Sequence, residues 1–190
     1  MIMTGGNQEL TAESLKKAKF HEPTDLITHC AYDASSATMD HDVGLIRMSK
    51  NIKFNRYTQP IALDPKTVPV GAKLLIVGFG FIKYKPKPVI TTEMHMLHMK
   101  RISQKTCSKA MQLNIRSNII CVYRTVNRGI CHGDSGSPFT LKRKLVGLAS
   151  WGLPCAEGYP DMVASIAYHY NGIIKTMRKY NKKHSTKCIP

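Results

Sequence analysis

The feature that most narrows the fold is the division of the chain into short apolar runs with turn residues between them. The candidates are Val43–Met48, Lys73–Gly78, Asn118–Tyr123, Pro138–Leu141, Leu145–Trp151 and Met162–Ala167, rich in Val, Ile, Leu and aromatic side chains and bounded by Gly, Pro, Asn or Asp. Runs of this length suit single strands, whereas an amphipathic helix needs more residues to show its period. A chain built this way is expected to be all-β, a barrel or a sandwich. Two stretches read as helix. Ser103 offers an N-cap to a short helix over residues 104–110. Residues 168–180 set Ile173, Ile174, Met177 and Tyr180 on one face and Lys175, Arg178 and Lys179 on the other, the pattern of an amphipathic terminal helix. Residues 60–71 hold three prolines and read as a linker.

The cysteines constrain the compartment. All six of them, Cys30, Cys107, Cys121, Cys131, Cys155 and Cys188, stand at wide, uneven spacing, with no Cys-x-x-Cys pair and no zinc-finger spacing to histidine. That pattern reads as disulfides formed in an oxidising compartment, with no metal and no cofactor expected. The N-terminus, Met1 to Gly6, has neither the basic flank nor the apolar stretch of a signal peptide. The two signals conflict, and the expectation is that the start of the chain is incomplete. No apolar run reaches the length of a membrane span. Lys and Arg outnumber Asp and Glu by 28 to 12, for a formal net charge of +16. The basic residues are scattered without the interleaved aromatics of single-strand nucleic-acid binders. They read as a solvated basic surface, so neither a nucleic-acid nor a membrane partner is expected.

The chemistry lies in Cys131-His132-Gly133-Asp134-Ser135-Gly136-Ser137-Pro138. A serine nucleophile needs a base for its proton and donors for the oxyanion that forms. Glycines on either side let the backbone turn sharply and bring its N–H groups beside the serine oxygen.

With its neighbours, this stretch resembles the nucleophile loop of the chymotrypsin/trypsin-like serine proteases. Gly133-Asp134-Ser135-Gly136 with Pro138 is similar to that loop, Ser137 standing where a second glycine is common. Asp42-Val43-Gly44-Leu45-Ile46-Arg47-Met48 resembles the segment that opens with the family's catalytic aspartate. Ile27 to Tyr32 is similar to its lead-in, and Val77-Gly78-Phe79-Gly80 to its Gly-Trp-Gly segment. Val146 to Gly152, followed by Cys155, resembles the strand that pairs with bound substrate.

The resemblance implies Ser135 as nucleophile, Asp42 as the carboxylate that orients a histidine, and the N–H groups of Gly133 and Ser135 as the oxyanion hole. It implies bridges Cys107–Cys121 and Cys131–Cys155, with Cys30 and Cys188 left over and expected to form an extra one. Leu74 and Leu141 stand where the family often has a bridged cysteine pair. Ser150, Trp151 and Gly152 would bind substrate. Gly129 stands where trypsin-like members carry an aspartate, while Asp161 falls where a glycine usually lines the pocket. That carboxylate could receive a basic P1 side chain or be a turn residue at the start of a strand. The implied fold is all-β, a chymotrypsin-like double β-barrel with the N-terminal barrel incomplete and a C-terminal helix. The expected domains are 1–65, a barrel remnant; 66–167, the C-terminal barrel with the nucleophile loop; and 168–190, helix and basic tail.

None of the histidines, His21, His29, His41, His95, His98, His132, His169 and His184, stands where this family's base would. His29 lies only about a dozen residues before Asp42, too close to cross a barrel. All eight are read as structural or surface residues. No Ile-Val-Gly-Gly-type terminus is present to pair with Asp134, which is expected to be a buried carboxylate without a cation and to leave the oxyanion hole poorly organised. The functional expectation is a secreted serine endopeptidase family member, inactive as this chain, monomeric, meeting polypeptide substrates or protein inhibitors. The alternative is a non-catalytic homologue that acts as a secreted binding protein.

Overall fold

The computed structural model describes residues 2–4, 9–153, 155–180 and 188–190. His184 and most of the basic tail from Asn181 lie outside the described residues. In chain order the elements are β1 (Ile2–Thr4), α1 (Ala12–Lys17), β2 (Lys19–His21), β3 (Pro23–Thr28), β4 (Gly44–Met48), β5 (Ala62–Leu63), β6 (Lys73–Gly78), β7 (His95–Arg101), α2 (Gln104–Met111), β8 (Ile119–Tyr123), β9 (Pro138–Leu141), β10 (Lys144–Gly152), β11 (Asp161–Ser165) and α3 (Ile166–Tyr180).

Six strands close on themselves in the order β11-β8-β7-β6-β9-β10, with β10 returning to β11, so each has a partner on both sides. Closure removes the free edges that an open sheet would expose. The interior is filled by Leu74, Ile76, Met99, Ile120, Val122, Phe139, Val146, Ala149 and Val163, packed with Val68 and Ile130. Leu74 is fully buried, and Leu141 packs against the same core. The first part of the chain forms two small sheets, β1 with β2 and β3 with β4. The β3–β4 hairpin is tied to the barrel by Ile27 and Val43, which pack on Ala164 of β11 and on Ile189 at the C-terminus.

Several elements depart from what their sequences suggest. The expected linker is an ordered strap: β5 pairs parallel with β10, and Val68 is buried in the barrel core. β7 is a strand although His95-Met96-Leu97-His98-Met99-Lys100-Arg101 has little β propensity, because β6 pairs with it along its length. The last run, expected to reach Ala167, turns to helix at Ile166. On α3 the buried residues include Ile166, His169, Ile173 and Thr176, while Met177 is exposed. The buried stripe contains two polar side chains, which an apolar-periodicity reading discounts.

Ser103 does cap α2, its hydroxyl accepting the Thr106 N–H at 3.1 Å. Ser103→Ala is expected to lower stability by about 1 kcal/mol in urea denaturation, the usual worth of such a cap.

Candidate active site

Local backbone geometry makes the nucleophile loop. Residues 131–137 form two successive turns, not helix or strand. Gly133 and Gly136 have φ of +94° and +79°, conformations that a side chain would strain. At Gly133 a Cβ would also lie 3.2 Å from Gly80 Cα. The Asp134 N–H donates to Cys131 O at 3.1 Å and the Ser137 N–H to Asp134 O at 2.9 Å. Gly136 N–H donates to Ala149 O at 2.8 Å, and Ala149 N–H to Ser137 O at 2.9 Å, so the loop is stapled to β10. Ser135 is exposed at the tip. Among the described residues, the N–H groups of Gly133 and Ser135 donate to no protein acceptor.

β10 carries the next part of the site. Its pairing with β11 slips between Ala149 and Trp151, leaving Ser150 as the extra residue of a bulge. A bulge re-aims one side chain. Here the Ser150 hydroxyl donates to Asp42 Oδ2 at 2.6 Å, across 108 positions of sequence. Asp42 sits in a tight turn, in which Val43 N–H donates to His41 O at 2.7 Å while buried Val43 anchors it to the hairpin core. The residues just after Ser135, together with Asp42, are thus held against residues 149–150 of one strand.

A cleft of about 420 Å³ opens beside Ser135, lined in part by Ile130, Ala149, Ser150, Trp151, Gly152 and Asp161, with Met39 at its edge. Asp161 is 3% exposed. Gly129 and Gly152 make room for its carboxyl: a Cβ at the first would lie 2.6 Å from Oδ2, and one at the second 2.8 Å from Oδ1. The carboxyl accepts the Ile130 N–H at 3.2 Å. Burial, partly offset by that hydrogen bond and reinforced by the nearby Asp134 charge, pushes its pKa up to about 7. Cys131 is bridged to Cys155, with Cα atoms 4.3 Å apart. Cys107 is bridged to Cys121, and Cys30 to Cys188.

Asp134 is not left uncompensated as its sequence context suggested. Its carboxylate accepts the N–H of Gly80 and that of Cys131, both at 3.0 Å, and is only half-buried. The backbone amides of Gly80 and Cys131 thus take up part of the work of a cation.

Among the described residues no imidazole is hydrogen-bonded to the Ser135 hydroxyl. His132, next to the loop in sequence, turns toward Phe81 and Tyr84, with ring centroids 5.9 and 5.1 Å away. His29, His41 and His169 instead gather against each other beneath the hairpin. Sequence reading missed this cluster, which joins residues up to 140 positions apart and leaves no local signal.

Comparison with known proteins follows the same lines. The family model described as Trypsin matches residues 3–174. Trypsin I-P1 of Gallus gallus is 32% identical over 154 residues, covering 80% of this chain and 61% of the relative. Kallikrein-11 of Mus musculus is 31% identical over 160 residues, 82% of this chain and 58% of the relative. Chymotrypsin-2 of Vespa crabro is 30% identical over 152 residues, 80% and 67%. The chain therefore spans roughly six tenths of the length of the curated relatives it matches. Among solved structures, "Neuropsin, a serine protease expressed in the limbic system of mouse brain" superposes with a TM-score of 0.81 at 24% identity, covering 92% of this chain and 83% of that one, a likeness of fold.

Proposed function

We propose, from the premise that this chain belongs to the trypsin family and has its chymotrypsin-like β-barrel fold, that Ser135 is the nucleophile of a serine endopeptidase. The observation that carries the proposal is the exposed Ser135 in a backbone turn whose two N–H groups have no acceptor among the described residues, the turn being stapled to the strand whose next residue holds Asp42. In this reading Ser135 Oγ attacks the scissile carbonyl, and the N–H groups of Gly133 and Ser135 receive the oxyanion. Asp42, steadied by Ser150, orients the imidazole that takes the serine proton. Trp151 and Gly152, at the end of β10, lie along the bound peptide. Asp161 recognises a basic P1 side chain in the cleft below.

None of the eight histidines is assigned as that base, so the 190-residue chain alone is proposed not to turn over. An activated ester is expected to give no burst of product with it. A peptide boronate with a basic P1 residue is expected to bind nonetheless, forming a tetrahedral adduct on Ser135. In Ser135→Ala its affinity should fall by about 100-fold, the low end for transition-state mimicry. Equal binding to both proteins, read by calorimetry, would remove Ser135 from the role. The Ser135 hydroxyl, without a hydrogen-bond partner among the described residues, also favours a second reading, a protease homologue that binds proteins without cleaving them. Labelling of Ser135 by a fluorophosphonate would exclude that one. The three disulfides support folding in an oxidising compartment, and secretion is proposed on that ground. Among the described residues, no helix is long and apolar enough to cross a membrane.

A further inference from the structure

Three imidazoles meet at the join of hairpin, barrel and terminal helix. One ring nitrogen from each of His29, His41 and His169 lies within 4.8 Å of the others. Each comes from a different element. His29 follows β3, where its bridge to Ile189 and the Cys30–Cys188 disulfide fix its backbone. His41 belongs to the turn ahead of Asp42 and has a φ of +63°. His169 is on the buried face of α3. His29 and His169 are buried and His41 half-buried, and Tyr168 packs against the rings of His41 and His169.

We propose that His29, His41 and His169 bind one divalent transition-metal ion of the zinc class, with water completing the coordination. Three neutral imidazoles and no sulfur suit such an ion and not calcium or magnesium, which take oxygen ligands.

The hydrogen bonds show how far the site is prepared. His169 Nδ1 lies 2.7 Å from Ser165 O, so it carries the proton and leaves the Nε2 lone pair facing the cluster. A backbone carbonyl on the far nitrogen is the usual means of orienting a metal-binding histidine. His169 Nε2 lies 3.2 Å from His41 Nδ1, which must then be the donor. The metal takes the place of that shared proton, His41 passing to its other tautomer. His29 Nδ1 accepts the Ala31 N–H at 3.1 Å. Whichever His29 nitrogen takes the metal, that contact is released, and Ala31 is exposed enough for its N–H to turn to water.

Zinc–nitrogen bonds of 2.0–2.1 Å require the nitrogens to close to about 3.3 Å. The rings of His29 and His41 are stacked 4.3 Å apart at 14°, so their in-plane lone pairs run side by side. One ring has to turn, and His41, on a half-buried turn, is the one free to do so. The site does not depend on the assignment of Ser135.

The test uses the full 190-residue chain, stripped with a chelator and titrated with zinc chloride by calorimetry and with cobalt chloride by absorption. One equivalent of zinc is expected to bind, and cobalt to give the visible bands of a four-coordinate nitrogen site. His41→Ala, which removes a ligand outright, should weaken zinc binding by at least about 100-fold, the top of the range for merely disturbing a ligand's outer-shell partner. His41→Asn, whose side-chain amide overlays the Nδ1 that faces His169 and which tolerates the positive φ, serves the same purpose should the alanine variant fold poorly. His132→Ala and His184→Ala should bind as the parent does. No binding to the parent, binding unchanged by loss of the His41 ring, or binding lost with His184 would each overturn the proposal.

Discussion

A chain in which Cys30 and Cys188 are both changed to alanine is expected to lose about 5 kcal/mol of stability, the chain-entropy value for so long a loop. The bridge spans 158 residues, so it removes far more freedom from the unfolded chain than Cys107–Cys121, which spans 14. It also holds the end of the chain on the hairpin. Cys30 N–H donates to Ile189 O and Ile189 N–H to Thr28 O, both at 2.8 Å, and Ile189 is fully buried against Ile27, Val43 and Ala164. Without the bridge this contact must be closed by noncovalent forces alone. Urea denaturation followed by the fluorescence of Trp151, the only tryptophan, measures the loss. A cost no greater than that of the double alanine variant at Cys107 and Cys121, for which the same relation gives roughly 3 kcal/mol, would refute the account.

The other large effect is expected at Asp161. Folding raises its pKa from 3.8 to about 7, so the folded state prefers the protonated carboxyl. Its favourable contribution is therefore complete below the unfolded pKa and is lost as pH rises through the folded one. The loss spans the window from about pH 4 to pH 7 and is on the order of 4 kcal/mol. Asp161→Asn keeps an acceptor for the Ile130 N–H but cannot ionise. It should match the parent near pH 3.5 and exceed it in stability at pH 8, as read from urea midpoints. The same substitution should weaken benzamidine, a cationic probe of the cleft, by about 10- to 100-fold at pH 8, the worth of a charge-assisted hydrogen bond. In the parent, benzamidine should bind more tightly at pH 8 than at pH 5. Equal stability of the two proteins at pH 8 would show that the carboxyl is not the buried charge described here. Benzamidine affinity unaffected by the change would remove Asp161 from P1 recognition.

Much of the fold was legible because strands and caps are local. Lys73–Gly78 and Pro138–Leu141 are strands over the residues that their apolar runs mark out. Ser103 caps α2 because a hydroxyl at that place needs only the N–H three residues on. The same local reading failed at β7, whose His, Met and Lys residues become a strand only through pairing with β6. It failed on α3 as well, where His169 and Thr176 occupy the buried face and Met177 does not.

The site divides in the same way. Glycines at 133 and 136 and a serine between them announce a tight turn from sequence alone, since the residues involved are neighbours. That Ser150 lies in a bulge and reaches Asp42 is decided by how β10 registers against β11. The half-buried Asp134 takes one donor, the Cys131 N–H, from its own loop, and finds the other, the Gly80 N–H, only because the Gly78–Gly80 segment folds over it. His29, His41 and His169 carry no mark of one another in sequence, and closure of the barrel, the docking of α3 and the Cys30–Cys188 bridge bring them within reach. Periodicity and turn chemistry act over a few residues and can be read along the chain. Which distant side chains share a cavity depends on strand register and packing, which exist only once the whole chain has closed.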